Sequence, residues 1–255
     1  MYRLQNLSFK IEERVLLSPL SLDFTPGKVY GLVGHNGSGK STLLKLIARQ
    51  EKPSSGEIFF ANKALEDFAA KELAQNIAYL PQHLPTETHL TVQELVKMGR
   101  FAWQGLFSRD SEEDKKIVEQ ALELTHTTKF SQALVDNLSG GERSRVWIAM
   151  LLAQQSKFIL LDEPLAPLDI AHQVEVMKLL RYLSQTLGVG IIIVIHDINL
   201  AARFCDQIIA LHAGNLIFNG QAKEFISQEN LKAIYGIDLT VIDHPEVEDV
   251  KVAFY

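Results

Sequence analysis

A single cysteine, Cys205, occurs in the 255 residues, so no disulfide can form within the chain. That suits a reducing compartment. Cys205 is expected to be a small buried apolar residue rather than a reactive one. Long apolar runs are also missing. The longest, Val189 to Ile195 with one glycine, is far short of the ~20 residues that span a bilayer. The N-terminus, MYRLQNLSFKIEE, has no apolar segment of leader length. These absences predict a protein that is neither exported nor membrane-spanning, with docking on a membrane protein left open. There is no basic excess: 25 Lys and Arg face 31 Asp and Glu, a net charge of −6. That argues against broad nucleic-acid binding. Neither an internal repeat nor a low-complexity segment is visible. What is present is 47 % apolar, ample for the core of one large domain or two modest ones.

Three short apolar runs read as buried parallel strands: Val29–Val33, Phe158–Leu161 and Ile191–Ile195. They are continuous rather than alternating, as strands covered on both faces should be. Helical patterns lie between them, at Ser41–Gln50 and Ser139–Gln154, and the alternation argues for an α/β core. From about Gln82 to Asn137 the segments TVQELVKMGR and SEEDKKIVEQALELT are helix-patterned with no convincing strand, which predicts an inserted helical subdomain over about 83–137. LQNLSFKI and PLSLDF alternate and predict antiparallel N-terminal strands. After Gly214, GNLIFNGQ reads as a hairpin strand, followed by helices near Ala222–Ser227 and Glu229–Tyr235. A single domain over 1–240 is expected. The remainder, 241–255, is read as a short terminal extension packed on the body.

The run Gly34-His35-Asn36-Gly37-Ser38-Gly39-Lys40-Ser41 fits G-x-x-x-x-G-K-[ST], and Thr42 follows. It leaves an apolar strand and opens a helix, the context this motif requires. Its glycines let the backbone curl round phosphate oxygens, and the helix N-terminus adds partial positive charge. Lys40 is placed to reach the β- and γ-phosphates, and Ser41 to ligate Mg²⁺. Asp162 and Glu163 end the Phe158–Leu161 strand. There Asp162 can hold Mg²⁺ through water while Glu163 polarises the attacking water. A solvated acidic turn would look the same if it stood alone. His196, after the isoleucine-rich strand, could bond the γ-phosphate or the water. Gln82 could complete the Mg²⁺ shell and sense nucleotide.

Leu138-Ser139-Gly140-Gly141-Glu142 precedes an apolar helix. Ser139 and Glu142 have capping-box spacing, and Gly140 and Gly141 leave first-turn N–H groups open to an anion. This makes a second phosphate site, distinct from the first.

Taken together, GHNGSGKST, LPQ, LSGGE, LLDEP, LAPLD and IIIVIHD, in that order, resemble the ATP-binding-cassette family. The resemblance implies a P-loop NTPase core of largely parallel sheet with helices, an N-terminal antiparallel β subdomain and the inserted helical subdomain. It implies ATP and Mg²⁺ as ligands. It also implies a head-to-tail homodimer, with ATP between Lys40 of one copy and Ser139, Gly140 and Gly141 of the other. DNA-repair members carry long coiled coils between the two motifs. Here Lys40 and Ser139 are about a hundred residues apart with no sustained heptads. Ribosome-acting members usually carry two cassettes, and this chain has one.

Within the family, LPQHLP, TVQELVKMGR, LSGGERSRVWIAMLLAQ, LDIAHQVEVM, HDINLAARFCD and NLKAIYGI resemble the ATPases of iron-chelate importers, the ferric hydroxamate branch above all. That implies an ATPase peripheral to the cytoplasmic face of a bacterial inner membrane. It would dock by residues around Gln82–Arg100 on separate permease subunits, themselves fed by a periplasmic or surface binding protein. Haem, vitamin B12 and other metal chelates remain open as cargo. Three departures stand out. The position of the family's adenine-stacking aromatic falls on Ile11, leaving weak stacking or help from Phe9. The usual polar residues after the catalytic Glu-Pro are Leu165 and Ala166, with Pro167 following, which bears on dimer communication through Asp169. The common Gln after LSGGER is Ser144, a mild change.

Overall fold

The computed structural model describes residues 1–85, 87–104, 111–244 and 251–254. In chain order the strands and helices are β1 (Tyr2–Ile11), β2 (Arg14–Phe24), β3 (Val29–Val33), α1 (Lys40–Ile47), β4 (Ser55–Phe60), β5 (Lys63–Ala64), α2 (Ala70–Ala74) and β6 (Ile77–Leu80). Then come α3 (Val92–Met98), α4 (Glu112–Leu124), α5 (Gly140–Ala153), β7 (Phe158–Leu161), α6 (Ile170–Leu187), β8 (Gly190–Val194) and α7 (Ile198–Phe204). The chain continues through β9 (Gln207–His212), β10 (Asn215–Gln221), α8 (Ala222–Phe225), α9 (Gln228–Tyr235), β11 (Thr240–Asp243) and β12 (Lys251–Phe254).

Two sheets divide the work. One is antiparallel, in the order β2-β1-β4-β5. The other, in the order β10-β9-β3-β8-β7-β6, is parallel except for its edge strand β10, which forms a hairpin with β9. Its central strands explain their continuous apolar sequences. Ile159 and Leu161 of β7 and Ile191 and Ile193 of β8 point into one core. Phe158 and Leu160, with Ile192 and Val194, point into another. The first core is covered by α3 to α9. The second is closed by α1, through Leu43, Leu44, Leu46 and Ile47, and by the antiparallel sheet, through Tyr2, Leu4 and Leu22. A strand with a core on each face has no polar side to show.

α3 and α4 lie inside 83–137, and both pack against α5. Their junction holds a buried ion pair. Arg100 Nε donates to Asp114 Oδ1 at 2.7 Å, the side chains being 5 % and 11 % exposed. Arg100 Nη1 also donates to Ala153 O at 2.8 Å and Gln155 Oε1 at 2.9 Å, tying both helices to the end of α5. The Arg100 bond, then the Ser111 capping bonds, hold the Asp114 carboxyl below its ordinary range against the opposing cost of burial. Its stabilisation is therefore complete above the unfolded value of about 3.9 and is lost as pH falls through the lower folded value. Asp114→Asn, which strands a buried guanidinium, is expected to cost about 3–5 kcal/mol at pH 7. In urea denaturation its deficit against wild type should begin to shrink below about pH 4, where the unfolded wild-type chain takes up the proton, and go on shrinking as pH falls through the lower folded value.

At the C-terminal end, β11 pairs with β12, and β12 is fastened to α7. Asn199 Oδ1 accepts from Ala253 N at 2.9 Å, and its Nδ2 donates to Ala253 O at 3.1 Å. Residues 245–250 and 255 of the expected extension lie outside the described residues. Cys205 is buried, and burial pushes its thiol far above the ordinary range. No helix among the described residues is long and apolar enough to cross a membrane.

Candidate functional site

Four neighbouring parallel strands, β3, β8, β7 and β6, end on the same side of the sheet, where such sheets place their ligands. Beyond β3 runs the glycine loop into α1. Beyond β8 comes His196, beyond β7 Asp162 and Glu163, and beyond β6 Gln82. Residues far apart in the chain are thereby set in one row.

The loop needs its glycines. At Gly34, φ 140°, a Cβ would sit 2.1 Å from Leu211 O. At Gly37, φ 78°, it would meet nothing within 4 Å, so the loop presents bare backbone there. α1 then opens with first-turn N–H groups that have no acceptor inside the helix. Lys40 folds back over the loop, and its Nζ donates to Gly34 O at 2.9 Å and His35 O at 3.0 Å. Burial lowers the Lys40 pKa, and the Glu163 and Asp162 carboxylates oppose that shift. Among the described residues, the buried Ser38 Oγ has no hydrogen-bond partner.

Asp162 is 2 % exposed and accepts from Ser41 Oγ at 2.9 Å. Burial raises its pKa, Ser41 works against the rise, and Glu163 adds to it. Burial and Asp162 together push the neighbouring Tyr79 hydroxyl up to about 12. Glu163 holds a left-handed φ of 52°. Its Oε2 accepts from Gln82 Nε2 at 2.7 Å, and its Oε1 lies 2.9 Å from His196 Nε2. Gln82, expected beside a metal, and His196, expected beside phosphate or water, are thus both joined directly to the carboxylate.

A cavity of about 390 Å³ unites this set. Asn36 to Thr42, Gln82, Glu163 and His196 line it, together with two residues of β2 that sequence reasoning did not find, Arg14 and Leu16. Neither Ile11 nor Phe9 lines it: Ile11 is exposed and Phe9 packs partly into the core beneath. The cause is a bulge. Phe9 pairs with Leu17 but Lys10 pairs with Val15, so Leu16 is an extra residue on β2. Leu17 turns into the core, and the Leu16 carbonyl lies against Gly39.

Ser139, Gly140, Gly141 and Glu142 do not line this cavity. Ser139 caps α5, and the full capping box forms. Glu142 Oε2 accepts from Ser139 N at 3.0 Å and from its Oγ at 2.7 Å, and those bonds hold the carboxyl below its ordinary range. Glu142 is therefore engaged in the cap. Gly141 is hemmed in by His172, where a Cβ would come 2.3 Å from Cδ2. His172 Nδ1 is in turn 2.9 Å from Oδ1 of Asp169, the N-cap of α6. Pro167 O lies beside Gly140, and Leu165 is buried in the core. The loop after Glu163 and the Ser139 helix cap are thus packed together within one chain.

The model of the ABC transporter family matches residues 17–166. The iron(3+)-hydroxamate import ATP-binding protein FhuC of Bacillus subtilis (strain 168) is 40 % identical over 241 residues, 94 % of this chain and 90 % of that protein. The ferric enterobactin transport ATP-binding protein FepC of Escherichia coli (strain K12) is 39 % identical, covering 89 % of this chain and 83 % of the relative. Among solved structures, the dimeric MJ0796, a bacterial ABC transporter cassette, superposes with a TM-score of 0.75 at 31 % identity, over 87 % of this chain and 99 % of that one. On its sheet order, its strand-end site and these likenesses, the chain belongs to the ABC transporter family, as one of its ATP-binding, ATP-hydrolysing subunits.

Proposed function

We propose that this subunit powers the import of ferric siderophores, of the hydroxamate kind, and that Glu163 activates the water that splits ATP. One observation carries the catalytic part: Gln82 and His196 converge on the two oxygens of Glu163, beside a phosphate loop and a buried Asp162–Ser41 pair. A carboxylate so held has fixed orientation, as a general base requires.

Lys40 leaves the carbonyls of Gly34 and His35 for the β- and γ-phosphates, and loop N–H groups receive the remaining oxygens. Ser41 Oγ, Asp162 and the side-chain oxygen of Gln82 form a donor set of hard oxygens, with the Asp162 carboxyl buried beside a second carboxylate, Glu163. These residues fit Mg²⁺. Bound there, it would supply positive charge to offset that of the terminal phosphates. Glu163 takes the proton of the attacking water as its oxygen closes on the γ-phosphorus and the bond to the β-bridging oxygen breaks. His196 steadies Glu163 and, through it, the water.

The second phosphate site at Ser139, Gly140 and Gly141 belongs, on this reading, to nucleotide held by a second copy. The likeness to a dimeric cassette supports a head-to-tail homodimer. Separate permease subunits would dock on the helical region, where Met98, Phe101 and Trp103 stay exposed beside α3. The ATPase would then sit on the cytoplasmic face of the membrane, reached only indirectly by a substrate-binding protein. Residues 1–240 would act as one ATPase domain.

The names of FhuC and FepC support an iron-siderophore cargo, and the name of FhuC supports hydroxamates. The test is a deletion strain grown with one iron source at a time. Growth should fail on ferric hydroxamates and persist on ferric catecholates, haem and free iron. Unchanged growth on ferric hydroxamates would discard the cargo, and loss on haem alone would replace it.

A further inference from the structure

The nucleotide cavity has two ends, and the groups around Glu163 and Lys40 occupy one. Gln82 and Glu163 stand beyond β6 and β7, at one edge of the parallel sheet. The phosphate loop leaves β3, nearer the middle. β2 approaches from the opposite edge: Ser18 N donates to Gly214 O at 2.8 Å, in the turn between β9 and β10. Arg14 and Leu16 therefore line the cavity at the end remote from the γ-phosphate position. A triphosphate laid along the loop with its γ-phosphate toward Glu163 sends its sugar and base toward β2.

Among the described residues, that end has an apolar side chain, a planar cation and no aromatic ring. None of the residues lining the cavity is Phe, Tyr or Trp. Arg14 is exposed, and among the described residues its guanidinium makes no ion pair or side-chain hydrogen bond, although Glu12 and Glu13 precede it. The bulge at Leu16 gives it this position, and the short turn before β2 anchors its backbone opposite Ile11. A guanidinium is flat, weakly hydrated and stacks face-on with π systems.

We propose that Arg14 is the platform for the purine ring of the nucleotide, its guanidinium plane against the ring face, with Leu16 packing on the sugar side. The proposal rests on the ATP reading of the cavity and adds a residue that fixes the base. The alternative for an arginine at this place is attraction to the phosphates, and the two are separable. Stacking needs a plane and a base, whereas attraction needs only charge.

The experiment is calorimetric titration of wild type, Arg14→Ala, Arg14→Lys and Arg14→Tyr with ATP and with inorganic tripolyphosphate, both with Mg²⁺. Arg14→Ala should bind ATP roughly five- to fiftyfold more weakly, within the range for loss of one base-stacking partner, and bind tripolyphosphate as wild type does. Arg14→Tyr should recover most of the ATP affinity, and Arg14→Lys should not. Equal weakening of both ligands by Arg14→Ala, rescue by Lys but not Tyr, or unchanged ATP affinity would each overturn the assignment. Wild-type protein that bound neither ligand would instead overturn the ATP reading beneath it.

Discussion

Glu163→Gln should bind ATP and hydrolyse it about 10²–10⁴-fold more slowly than wild type, a barrier increase of roughly 3–5 kcal/mol. The substitution keeps the shape of the side chain and the left-handed backbone at φ 52°, so the fold should be unaffected. It removes the one property the site needs, a carboxylate able to accept a proton. An amide offers one acceptor where two donors converge, Gln82 Nε2 and, in its Nε2–H tautomer, His196. The side chain is then both non-basic and misaligned. Lys40, Ser41 and Asp162 are untouched, so nucleotide binding should survive. Phosphate release measures the chemistry. Gel filtration with ATP should show a dimer that persists because its nucleotide is not consumed. Phosphate release at the wild-type rate would remove Glu163 from the role of base.

Lys40→Ala should fail earlier, at binding, with ATP affinity reduced about a hundredfold or more, in line with the 2–5 kcal/mol cost of removing one partner of a buried charge pair. Lys40 is 4 % exposed. It is the buried cation close to both Asp162 and Glu163. Without it, the two carboxylates face incoming phosphates with less opposing charge, and the Gly34 and His35 carbonyls lose their shared donor. Titration with a fluorescent nucleotide checks the loss, and circular dichroism checks that the fold is intact. The two substitutions separate binding from chemistry. If Lys40→Ala bound ATP within about threefold of wild type, the loop would not be the phosphate site.

The parts of this molecule visible in its sequence are those whose causes are local. β3, β7 and β8 are apolar along their length because a core lies on each face, and the Gly34–Ser41 motif carries its turn and helix start in adjacent residues. Other elements carried weaker signals. β6 is only Ile-Ala-Tyr-Leu, and β9 follows α7 almost at once with Ile-Ile-Ala-Leu, too short a run to tell strand from helix. Gln82, Asp162, Glu163 and His196 were named one by one as motif residues. That Gln82 and His196 meet on a single carboxylate depends on strand order, which runs β3-β8-β7-β6 in space against β3-β6-β7-β8 in the chain. Arg14 was missed for a different reason. The family resemblance placed the adenine-stacking position on Ile11, with Phe9 as a possible helper, and a bulge at Leu16, which a sequence pattern cannot reveal, brought Arg14 and Leu16 to the cavity instead. His172 escaped notice because its contact with Gly141 joins two separate helix starts.

The row of strand ends also bears on how the native state is maintained. Ser41 meets Asp162 across 121 residues of chain, and Gln82 meets Glu163 across 81. Contacts of such sequence separation cost loop-closure entropy before they return anything, which slows folding. An incompletely folded chain has no such row and no affinity for nucleotide to match. ATP is therefore a ligand of the finished fold alone, and mass action makes it a stabiliser. At a free concentration a hundred times its Kd it adds about 2.7 kcal/mol. The subunit's fuel thus also holds it folded, and a fall in nucleotide level would loosen the protein as well as idle it.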